Sequence, residues 1–591
     1  MAQMLTAWVR NAWRSGEILV QCGPRELLRR AGRKIRLALR SGIFTSRDPA
    51  AQYRIWLRRH ALEPDALQAL ASKALAFPQQ PRLSLLARVG GERSEEMQKT
   101  VDSLRAQAYS GWELCLIADP SMSPEARRRL EAAAGGDPRV RVCNGGAGKP
   151  PFAAGLALAT GEFIAFLGAG DELAPEALCA LVKRLNQEPE IDVLYCDEDE
   201  ISDDGVRANP FFKPDWSPDL LATTNYMARL CLLRRRLLEG VEEGGADPEE
   251  SQEYSLILRA TERTARIAHV PQILYHRRKD APPDAGEQRA LEAALKRRGI
   301  RAKVSPNAPA PGVRPSFCVR FEIDAPPLVS IIIPTRDQSR LLERCITSVE
   351  RSRYRNFEII VVDNASVEPE TRAYFKSLAG KHAVLPYPGE FNFAKICNMG
   401  AAQARGSQLL FLNNDVEAVD EDWLTALVEQ AQRPEVGVVG AKLLYPNGTI
   451  QHAGLAIGVG GLAAHVFRHW PGNGPCDPRF PHSIVRDCSA VTGACMMVPR
   501  RVFEEVGGFD ERFRVVYNDT DLCLRIQRKG HLVVYAPSAL LLHHEGATRR
   551  NAHPPQEETL FEQVWADFLE RGDPYYNPNL TDSRDDWSLR L

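Results

Sequence analysis

The sequence predicts an α/β chain in which two mostly parallel-sheet, Rossmann-like domains follow an N-terminal helical segment. Short apolar runs alternate with helical segments from about residue 81 and again from about residue 329, and this alternation is typical of βαβ units. Residues of the second stretch recur in the first at a constant spacing. A proline-rich stretch lies between the two, and 591 residues are too many for one hydrophobic core.

The composition is that of an ordinary globular protein, with 44% hydrophobic and 26% charged residues. Lysine and arginine number 75 against 76 aspartate and glutamate, so the net charge of -1 gives no reason to expect a nucleic-acid partner. No run approaches the roughly 18 apolar residues of a membrane span, and the start lacks the apolar region of a secretory signal. We therefore expect a cytoplasmic protein.

Residues 1–78 are predicted to form a basic helical region. The first 45 residues carry nine basic side chains and two acidic ones, interleaved with tryptophan and leucine. A basic helix that is solvated on one face and packed on the following domain accounts for this pattern. The alternative is a helix lying on anionic lipid, which would place the protein peripherally on the inner face of the membrane through residues 1–45.

The two predicted domains span residues 79–301 and 328–591, with the proline-rich stretch 302–327 as a linker. Helices are predicted near 94–107 and 174–186, and the chain is expected to end in a helical tail. The predicted strands are the apolar runs Leu83–Leu86, Trp112–Ala118, Phe163–Leu167, Ile191–Tyr195, Val329–Ile333 and Phe357–Val362.

A spacing of 245 residues relates the second domain to the first. It joins Leu412 with Leu167, Gly406 with Gly161, Glu358 with Glu113, and Tyr354 with Tyr109. Because a constant offset over this length is hard to obtain by chance, we interpret the chain as two copies of one domain.

The two copies differ at their polar positions. At the same spacing Asp363 falls on Ala118, and Asp415 falls on Gly170, with Asp171 displaced by one place. The later matches, at a spacing of 266 residues, are Asn518 with Gln252, Asp519 with Glu253 and Arg525 with Arg259. We therefore expect a degenerate first copy that serves as a platform or acceptor clamp, and catalysis in the second copy.

Four motifs of the second domain carry a family resemblance. They are Val329-Ser-Ile-Ile-Ile-Pro-Thr335, Val362-Asp-Asn-Ala-Ser366, Leu412-Asn-Asn-Asp415 and Tyr517-Asn-Asp-Thr-Asp-Leu-Cys-Leu-Arg525. Together they resemble the ordered motifs of family 2 inverting glycosyltransferases with the GT-A fold. Pro446–Gly454 and Leu542–Arg549 resemble the rhamnosyltransferase-like branch of O-antigen and capsule assembly. The resemblance is dense from about 328 to 550 and weaker in the first half.

The resemblance implies a metal-dependent enzyme that transfers a hexosyl or rhamnosyl unit with inversion. The donor would be a dTDP-, UDP- or GDP-sugar, and the acceptor a saccharide or a lipid-linked saccharide. The Q-x-x-R-W motif of processive members is absent from the sequence, which favours the addition of one or a few sugars. The alternative is a catalytically inactive carbohydrate-binding or scaffold subunit, which the degenerate first copy suggests.

Polar residues at predicted strand ends form the candidate donor site. Asp363 closes the second strand of its domain, at the sheet edge where a nucleotide would lie. Pro334, Thr335 and Asn413 complete the predicted nucleotide site. By the resemblance, Asp415 matches the last acid of the family's D-x-D and would hold Mg²⁺ or Mn²⁺.

His543 or His544 is predicted to complete the coordination of this metal. Both follow an apolar run that reads as a strand. Because adjacent strand residues point to opposite faces, we expect only one of the two to face the site. The alternative is a histidine that is hydrogen-bonded to the domain edge.

Asp519 is the candidate general base. Inversion in one displacement needs a group that takes the proton of the acceptor hydroxyl as it attacks the anomeric carbon. The family usually has Glu-Asp here, and this sequence has Asn518-Asp519. Asp521 is expected to brace the following helix. Thr492, Gly493 and Asn518 are the predicted acceptor contacts, with a tight strand entry as the alternative for Gly493.

The glycine-rich stretch 454–461 is interpreted as a mobile loop on the acceptor side. His452 and His465 flank it. It is not a phosphate cradle, because neither G-x-x-x-x-G-K nor G-x-G-x-x-G after a strand is present.

Overall fold

The computed structural model describes residues 48–90, 96–145, 152–240, 252–278, 286–308, 313–544 and 554–591. The basic segment 1–45, the candidate for membrane contact, lies outside the described residues. The described chain forms two compact units, here called the first domain (to Val319, with Pro475–Pro481) and the second domain (Arg320–Gly474 and His482–Leu591). Within these described ranges, no helix is long and apolar enough to cross a membrane.

A nine-stranded sheet dominates the described part of the first domain. The helices are α1 (Pro49–His60), α2 (Pro64–Ala74), α3 (Met97–Arg105), α4 (Pro124–Ala134), α5 (Ala153–Leu158), α6 (Ala177–Gln187), α7 (Pro218–Leu221), α8 (Gln252–Arg263) and α9 (Gly286–Arg297). The strands are β1 (Leu83–Val89), β2 (Trp112–Ala118), β3 (Val140–Asn144), β4 (Phe163–Leu167), β5 (Glu172–Leu173), β6 (Val193–Ile201), β7 (Arg207–Phe211), β8 (Cys231–Arg234), β9 (Ile267–Arg278), β10 (Ala302–Pro306) and β11 (Phe317–Phe321).

A ten-stranded sheet dominates the described part of the second domain. The strands are β12 (Val329–Thr335), β13 (Phe357–Asp363), β14 (Ala383–Pro386), β15 (Gln408–Leu412), β16 (Val416–Ala418), β17 (Val436–Leu444), β18 (Ile450–His452), β19 (Leu455–Ile457), β20 (Ala463–His465), β21 (Arg486–Asp487), β22 (Cys495–Pro499) and β23 (Leu532–His543). The helices are α10 (Ser339–Glu350), α11 (Pro369–Leu378), α12 (Phe393–Gln403), α13 (Trp423–Ala431), α14 (Arg500–Glu505), α15 (Asn518–Arg528), α16 (Pro555–Val564) and α17 (Ala566–Arg571).

The two sheets have the same strand order. It is β3-β2-β1-β4-β8-β6-β9-β5 in the first domain and β14-β13-β12-β15-β22-β17-β23-β16 in the second. In each sheet the first four strands are parallel and the fifth is antiparallel to them. The prediction of two tandem, mostly parallel α/β domains is therefore confirmed.

A buried polar contact recurs in both copies. In the second domain the Ser330 hydroxyl donates to Glu358 at 2.6 Å and accepts from the Gly406 N–H at 2.8 Å. The corresponding residues of the first domain are Ser84, Glu113 and Gly161. Two of these three pairs have the spacing that the sequence showed. The duplication therefore extends to the hydrogen bonds that hold the central strands.

The proline-rich stretch 302–327 differs from the predicted linker. Strands β10 and β11 pair with each other in this region, and Val304, Phe317 and Val319 are buried. These apolar side chains provide the burial that a free linker lacks. The many prolines of this stretch favoured the prediction of a linker over that of two strands.

Strands β19 and β20 form an antiparallel hairpin where a mobile acceptor loop was expected. The C-terminal segment holds this hairpin. Oδ2 of Asp573 accepts from the Ile457 N–H at 2.7 Å, and the Asp582 carbonyl accepts from the Gly460 N–H at 2.9 Å. The glycine-rich stretch is therefore a hydrogen-bonded hairpin rather than a free loop.

We predict that replacing Asp573 with asparagine changes how stability depends on pH. Burial raises the pKa of Asp573 from 3.8 to about 6, against the opposing effects of its hydrogen-bond donors and of the Arg486 charge. The folded protein therefore retains a proton that the unfolded chain releases between these two values. Wild-type stability should fall by about 3 kcal/mol as the pH rises through this window, and the variant lacks this loss.

Urea unfolding of both proteins from about pH 4 to about pH 7 tests this. The free energy of unfolding of the wild type, minus that of the variant, should decrease as the pH rises. A difference that stays constant over this range would contradict the raised pKa of the Asp573 carboxylate.

Candidate active site

A cleft of about 400 Å³ opens at the carboxyl ends of β12, β13 and β15. Pro334, Thr335, Asn364 and Asn413 line it, and all four end or follow these strands. Parallel strands gather their last residues at one sheet edge, which is where α/β domains bind ligands. Three of the four predicted nucleotide-binding residues therefore lie together in one cleft wall.

Hydrogen bonds fix the polar wall of this cleft. The Asn414 amide donates to Oγ1 of Thr335 at 2.8 Å, and the Asn364 N–H donates to the Thr335 carbonyl at 2.8 Å. Asp363, the fourth predicted nucleotide residue, is not among the residues that line the cleft. Its Oδ1 accepts from the Ser366 N–H at 2.9 Å. Asp363 therefore also supports the turn that begins at Asn364.

Asp337 joins the loops that follow β12 and β13. Its Oδ1 accepts from the N–H groups of Val367 and Glu368 at 2.7 and 2.9 Å, and its own N–H donates to the Ser366 hydroxyl at 2.8 Å. Asp337 has a φ of 55°, which is strained for a residue with a Cβ and is held by these contacts. Beside it, Arg336 lines the cleft and adds a positive charge. No motif in the sequence indicated a role for either residue.

Asp415 and His543 meet at the predicted metal position. Strand β16 pairs antiparallel with β23, so that Val416 is opposite His543. This register puts Nε2 of His543 3.3 Å from Oδ1 of Asp415. His544 instead has its Nε2 3.5 Å from Glu417. Of the two candidate histidines, the structure brings His543 to Asp415.

This pair fits a divalent cation that is shared with a diphosphate. Carboxylate oxygen and imidazole nitrogen are both accepted ligands, and Asp415 is only 4% exposed. Nδ1 of His543 is buried and has no hydrogen-bond partner among the described residues. No group of three or more His, Cys, Asp or Glu side chains suited to a metal occurs in the described ranges. The remaining ligands would come from phosphate oxygens and water, as Mg²⁺-type ions prefer.

Asp519, the candidate base, lies in the first turn of α15 and contacts the residues that enter β22. Its Oδ2 accepts from the Gly493 N–H at 2.8 Å. The carbonyl of the next residue, Ala494, accepts from the Asn413 N–H at 3.0 Å. Two consecutive residues therefore connect Asp519 to the loop that carries Asp415.

The predicted acceptor residues surround this contact. Thr492 and Asn518 are buried, whereas Asp519 is half-buried. A Cβ on Gly493 would lie 3.5 Å from both Phe393 and Asp519, which is ordinary van der Waals contact. Close packing therefore does not by itself require glycine at this strand entry.

His452 supports the same strand entry from the other side. Its Nε2 accepts from the N–H groups of Gly454 and Thr492 at 3.3 and 3.4 Å, so the proton of the ring lies on Nδ1, 2.9 Å from His465. Burial, reinforced by the neighbouring His465 and Arg486, lowers the pKa of His452 well below its ordinary value. His452 is therefore neutral and structural.

Asp521 is a structural acid in the first turn of α15. It accepts from Nε of Arg525 at 2.8 Å and from Nε1 of Trp565 at 3.1 Å. Burial raises its pKa. These contacts agree with the expected bracing of the helix.

Helix α16 supports the turn that precedes the candidate base. Oε2 of the buried Glu557 accepts from the N–H groups of Val515 and Val516 at 3.0 and 2.8 Å. Phe561 of the same helix stacks on Tyr517, with ring centroids 4.8 Å apart. Tyr517 has a φ of 60°, a conformation that needs such support. No local sequence pattern linked this helix to the turn.

We predict that Glu557→Ala lowers kcat for the sugar transfer that the family resemblance implies by roughly 10-fold to 100-fold, because two charge-assisted hydrogen bonds that aim the turn are lost. The KM for the donor should change little, since the cleft is built from other residues. Glu557→Gln should recover most of the activity, because its amide oxygen can still accept both N–H groups. Steady-state kinetics with varied donor and acceptor measures this.

The exposed Gln556 of the same helix supplies the control, and Gln556→Ala should behave as wild type. Equal losses in Glu557→Ala and Glu557→Gln would argue against a positioning role. A change confined to the KM of the donor would argue against it as well.

A mostly parallel α/β sheet with a polar cleft at its strand ends is the architecture of GT-A glycosyltransferases, and this chain has two such sheets in tandem. The model of the family described as glycosyl transferase family 2 matches residues 91–241 and 330–507, which is more than half of the chain. The chain belongs to this family, and the expected family and fold are confirmed. A related model, glycosyl transferase family group 2, matches residues 478–577.

The chain is similar to the O-antigen biosynthesis protein RfbC of Myxococcus xanthus, with 38% identity over 562 residues, covering 91% of this chain and 43% of that protein. It is also similar to an N-acetylglucosaminyl-diphospho-decaprenol L-rhamnosyltransferase of Mycobacterium tuberculosis, with 27% identity over 244 residues, covering 37% of this chain and 76% of that protein. The chain spans about half the length of the curated relatives that it matches along most of its own length.

Among solved structures, a crystal structure of GalNAc-T7 with UDP, GalNAc and Mn²⁺ matches with a TM-score of 0.36 and 18% identity. The match covers 42% of this chain and 50% of that one.

Proposed function

We propose that this chain transfers a sugar with inversion from a nucleotide-sugar donor to a saccharide or lipid-linked saccharide, in the assembly of a surface polysaccharide. The observation that carries the proposal is the contact path from Asp519 through Gly493 and Ala494 to the loop of Asp415. It connects a candidate base with a candidate metal ligand at one sheet edge, beside the cleft. Similarity to an O-antigen biosynthesis protein and to an N-acetylglucosaminyl-diphospho-decaprenol L-rhamnosyltransferase supports the polysaccharide role and the lipid-linked acceptor.

Each residue has a distinct task in this reaction. Asp519 takes the proton of the acceptor hydroxyl while its oxygen attacks the anomeric carbon, and the nucleoside diphosphate leaves from the opposite side. The Gly493 N–H orients the Asp519 carboxylate for this step. Asp363 accepts hydrogen bonds from the base or ribose of the nucleotide. Asp415 and His543 would hold Mg²⁺ or Mn²⁺, and the bound cation would supply positive charge against the diphosphate.

A panel of dTDP-, UDP- and GDP-sugars with Mn²⁺ and a lipid-linked acceptor tests the proposal. The full chain should release nucleoside diphosphate with one donor class, and calorimetry should show that binding of this donor needs the metal. If no donor turned over or bound, the proposal would fail in favour of the scaffold alternative.

A further inference from the structure

The first domain retains an acid at the position that corresponds to Asp415. Asp171 directly precedes β5, which pairs with β9 at His276, just as Asp415 precedes β16, which pairs with β23 at His543. The segment from the end of β4 to this acid is one residue longer than the segment after β15. That extra residue displaced Asp171 in the sequence comparison. The match of Asp415 with Gly170 is therefore wrong, and Asp171 is the corresponding residue.

A different residue distinguishes the two copies. Arg235 and Arg500 mark the same position, because Nε of each donates at 2.8 Å to the glycine carbonyl ahead of β4 or β15. Counting back six residues from each gives Arg229 and Ala494. Strands β8 and β22 also pair antiparallel with β4 and β15 in the same way. The first domain therefore has an arginine where the second has an alanine.

The Arg229 guanidinium bridges the counterparts of the two second-domain acids. It donates to Oδ2 of Asp171 from Nη1 at 2.9 Å and to Oε2 of Glu253 from Nε at 3.2 Å. Glu253 is the second residue of α8, as Asp519 is of α15. The Tyr275 hydroxyl donates to the same oxygen of Asp171. One internal cation thus serves both carboxylates.

The geometry leaves no room for a metal beside this oxygen. The side chains of Asp171 and Glu253 are 3% and 14% exposed, and that of Arg229 is 25% exposed. A Cβ on Gly168 would lie only 2.6 Å from Nη1 of Arg229. Burial acts to lower the pKa of Arg229, but Glu253 and Asp171 outweigh it and hold this pKa well above its ordinary value. The guanidinium is permanently charged, and the described residues around Asp171 do not fit a divalent cation.

We propose that Arg229 closes the first domain's copy of the site by substituting for its divalent cation, so that metal and nucleoside diphosphate bind in the second domain alone. The part that concerns the second domain rests on the proposed function. The cause of inactivity in the first copy is then a gained arginine rather than a lost acid. The same arginine pairs with the buried Asp171 and the partly buried Glu253, and this pairing helps to preserve the fold of the copy.

Counting bound Mn²⁺ per full chain by electron paramagnetic resonance tests the closure. Asp171→Asn should leave the count unchanged, and the loss of one Mn²⁺ in this variant would overturn the proposal. Asp415→Asn is the matched change in the second domain and should lower the count by one. If the Mn²⁺ count of Asp415→Asn were unchanged, the proposed function would be contradicted. The Mn²⁺ count of Asp171→Asn would still decide whether the first domain binds a metal.

A thermal double-mutant comparison tests the ionic bridge without reference to any metal. Arg229→Met should lower the melting temperature by about 10 °C, because the buried Asp171 and the partly buried Glu253 lose their counter-charge. In an Asp171→Asn/Glu253→Gln background the same change should cost a small fraction of this shift. Arg235→Met, which removes contacts to a carbonyl only, should give equal shifts in both backgrounds.

Equal shifts for Arg229→Met in the two backgrounds would show that Arg229 acts by packing alone and would overturn the proposal. If Arg229→Met did not fold but the triple variant did, the coupling would be supported in its strongest form.

Discussion

Replacing Asp519 with asparagine is expected to lower kcat for sugar transfer by roughly 10²-fold to 10⁴-fold, the usual contribution of a general base. The asparagine oxygen can still accept the Gly493 N–H that Asp519 accepts at 2.8 Å, so the turn should keep its shape. It cannot take the proton of the acceptor hydroxyl. Binding of the nucleotide-sugar donor, measured by calorimetry with Mn²⁺, should therefore remain close to that of the wild type.

The duplicated fold supplies a matched control for this experiment. Glu253 occupies the corresponding place at the start of α8, and Glu253→Gln should leave kcat unchanged while the chain remains folded. If Asp519→Asn kept full activity, the assignment of the base would be wrong. If Glu253→Gln lost activity and stayed folded, the first domain would have to take part in the chemistry.

The architecture could be predicted from sequence because it depends on local patterns. Apolar runs bounded by turns gave the strands, and the spacing between Glu358 and Glu113 gave the duplication. These two glutamates make the same buried contact with a serine in both domains. The prediction of a linker was wrong because it considered local patterns alone. The pairing of β10 with β11 depends on both strands and cannot be seen in either one.

Some residues of the candidate site could likewise be predicted from the sequence, and others could not. Thr335 ends β12, and Asn413 and Asp415 follow β15. All three belong to sequence motifs, so their place at one sheet edge could be predicted. Glu557 acts across a long stretch of chain on two backbone N–H groups, and no motif announces such a contact. Arg229 could not be predicted, because one arginine among apolar residues ahead of β8 does not form a recognisable motif.

A substitution at Asp415 tests how much of the reaction rate depends on a bound metal. Replacing it with asparagine should lower kcat/KM by about 10³-fold, since a metal ion contributes several kcal/mol of charge stabilisation to such a reaction. The asparagine keeps an oxygen of similar reach but loses the charge that attracts the cation. Raising the Mn²⁺ concentration should therefore restore part of the activity, which a titration of rate against Mn²⁺ measures.

A comparison of the two adjacent histidines tests the position of the metal, because the same side chain contacts a different acid in each case. His543 lies 3.3 Å from Asp415, whereas His544 lies 3.5 Å from Glu417. His543→Ala should raise the Mn²⁺ concentration for half-maximal rate by at least about 10-fold, and His544→Ala should leave it nearly unchanged. The reverse order would move the metal to the opposite face of β23, and equal small effects would remove the imidazole from the coordination altogether.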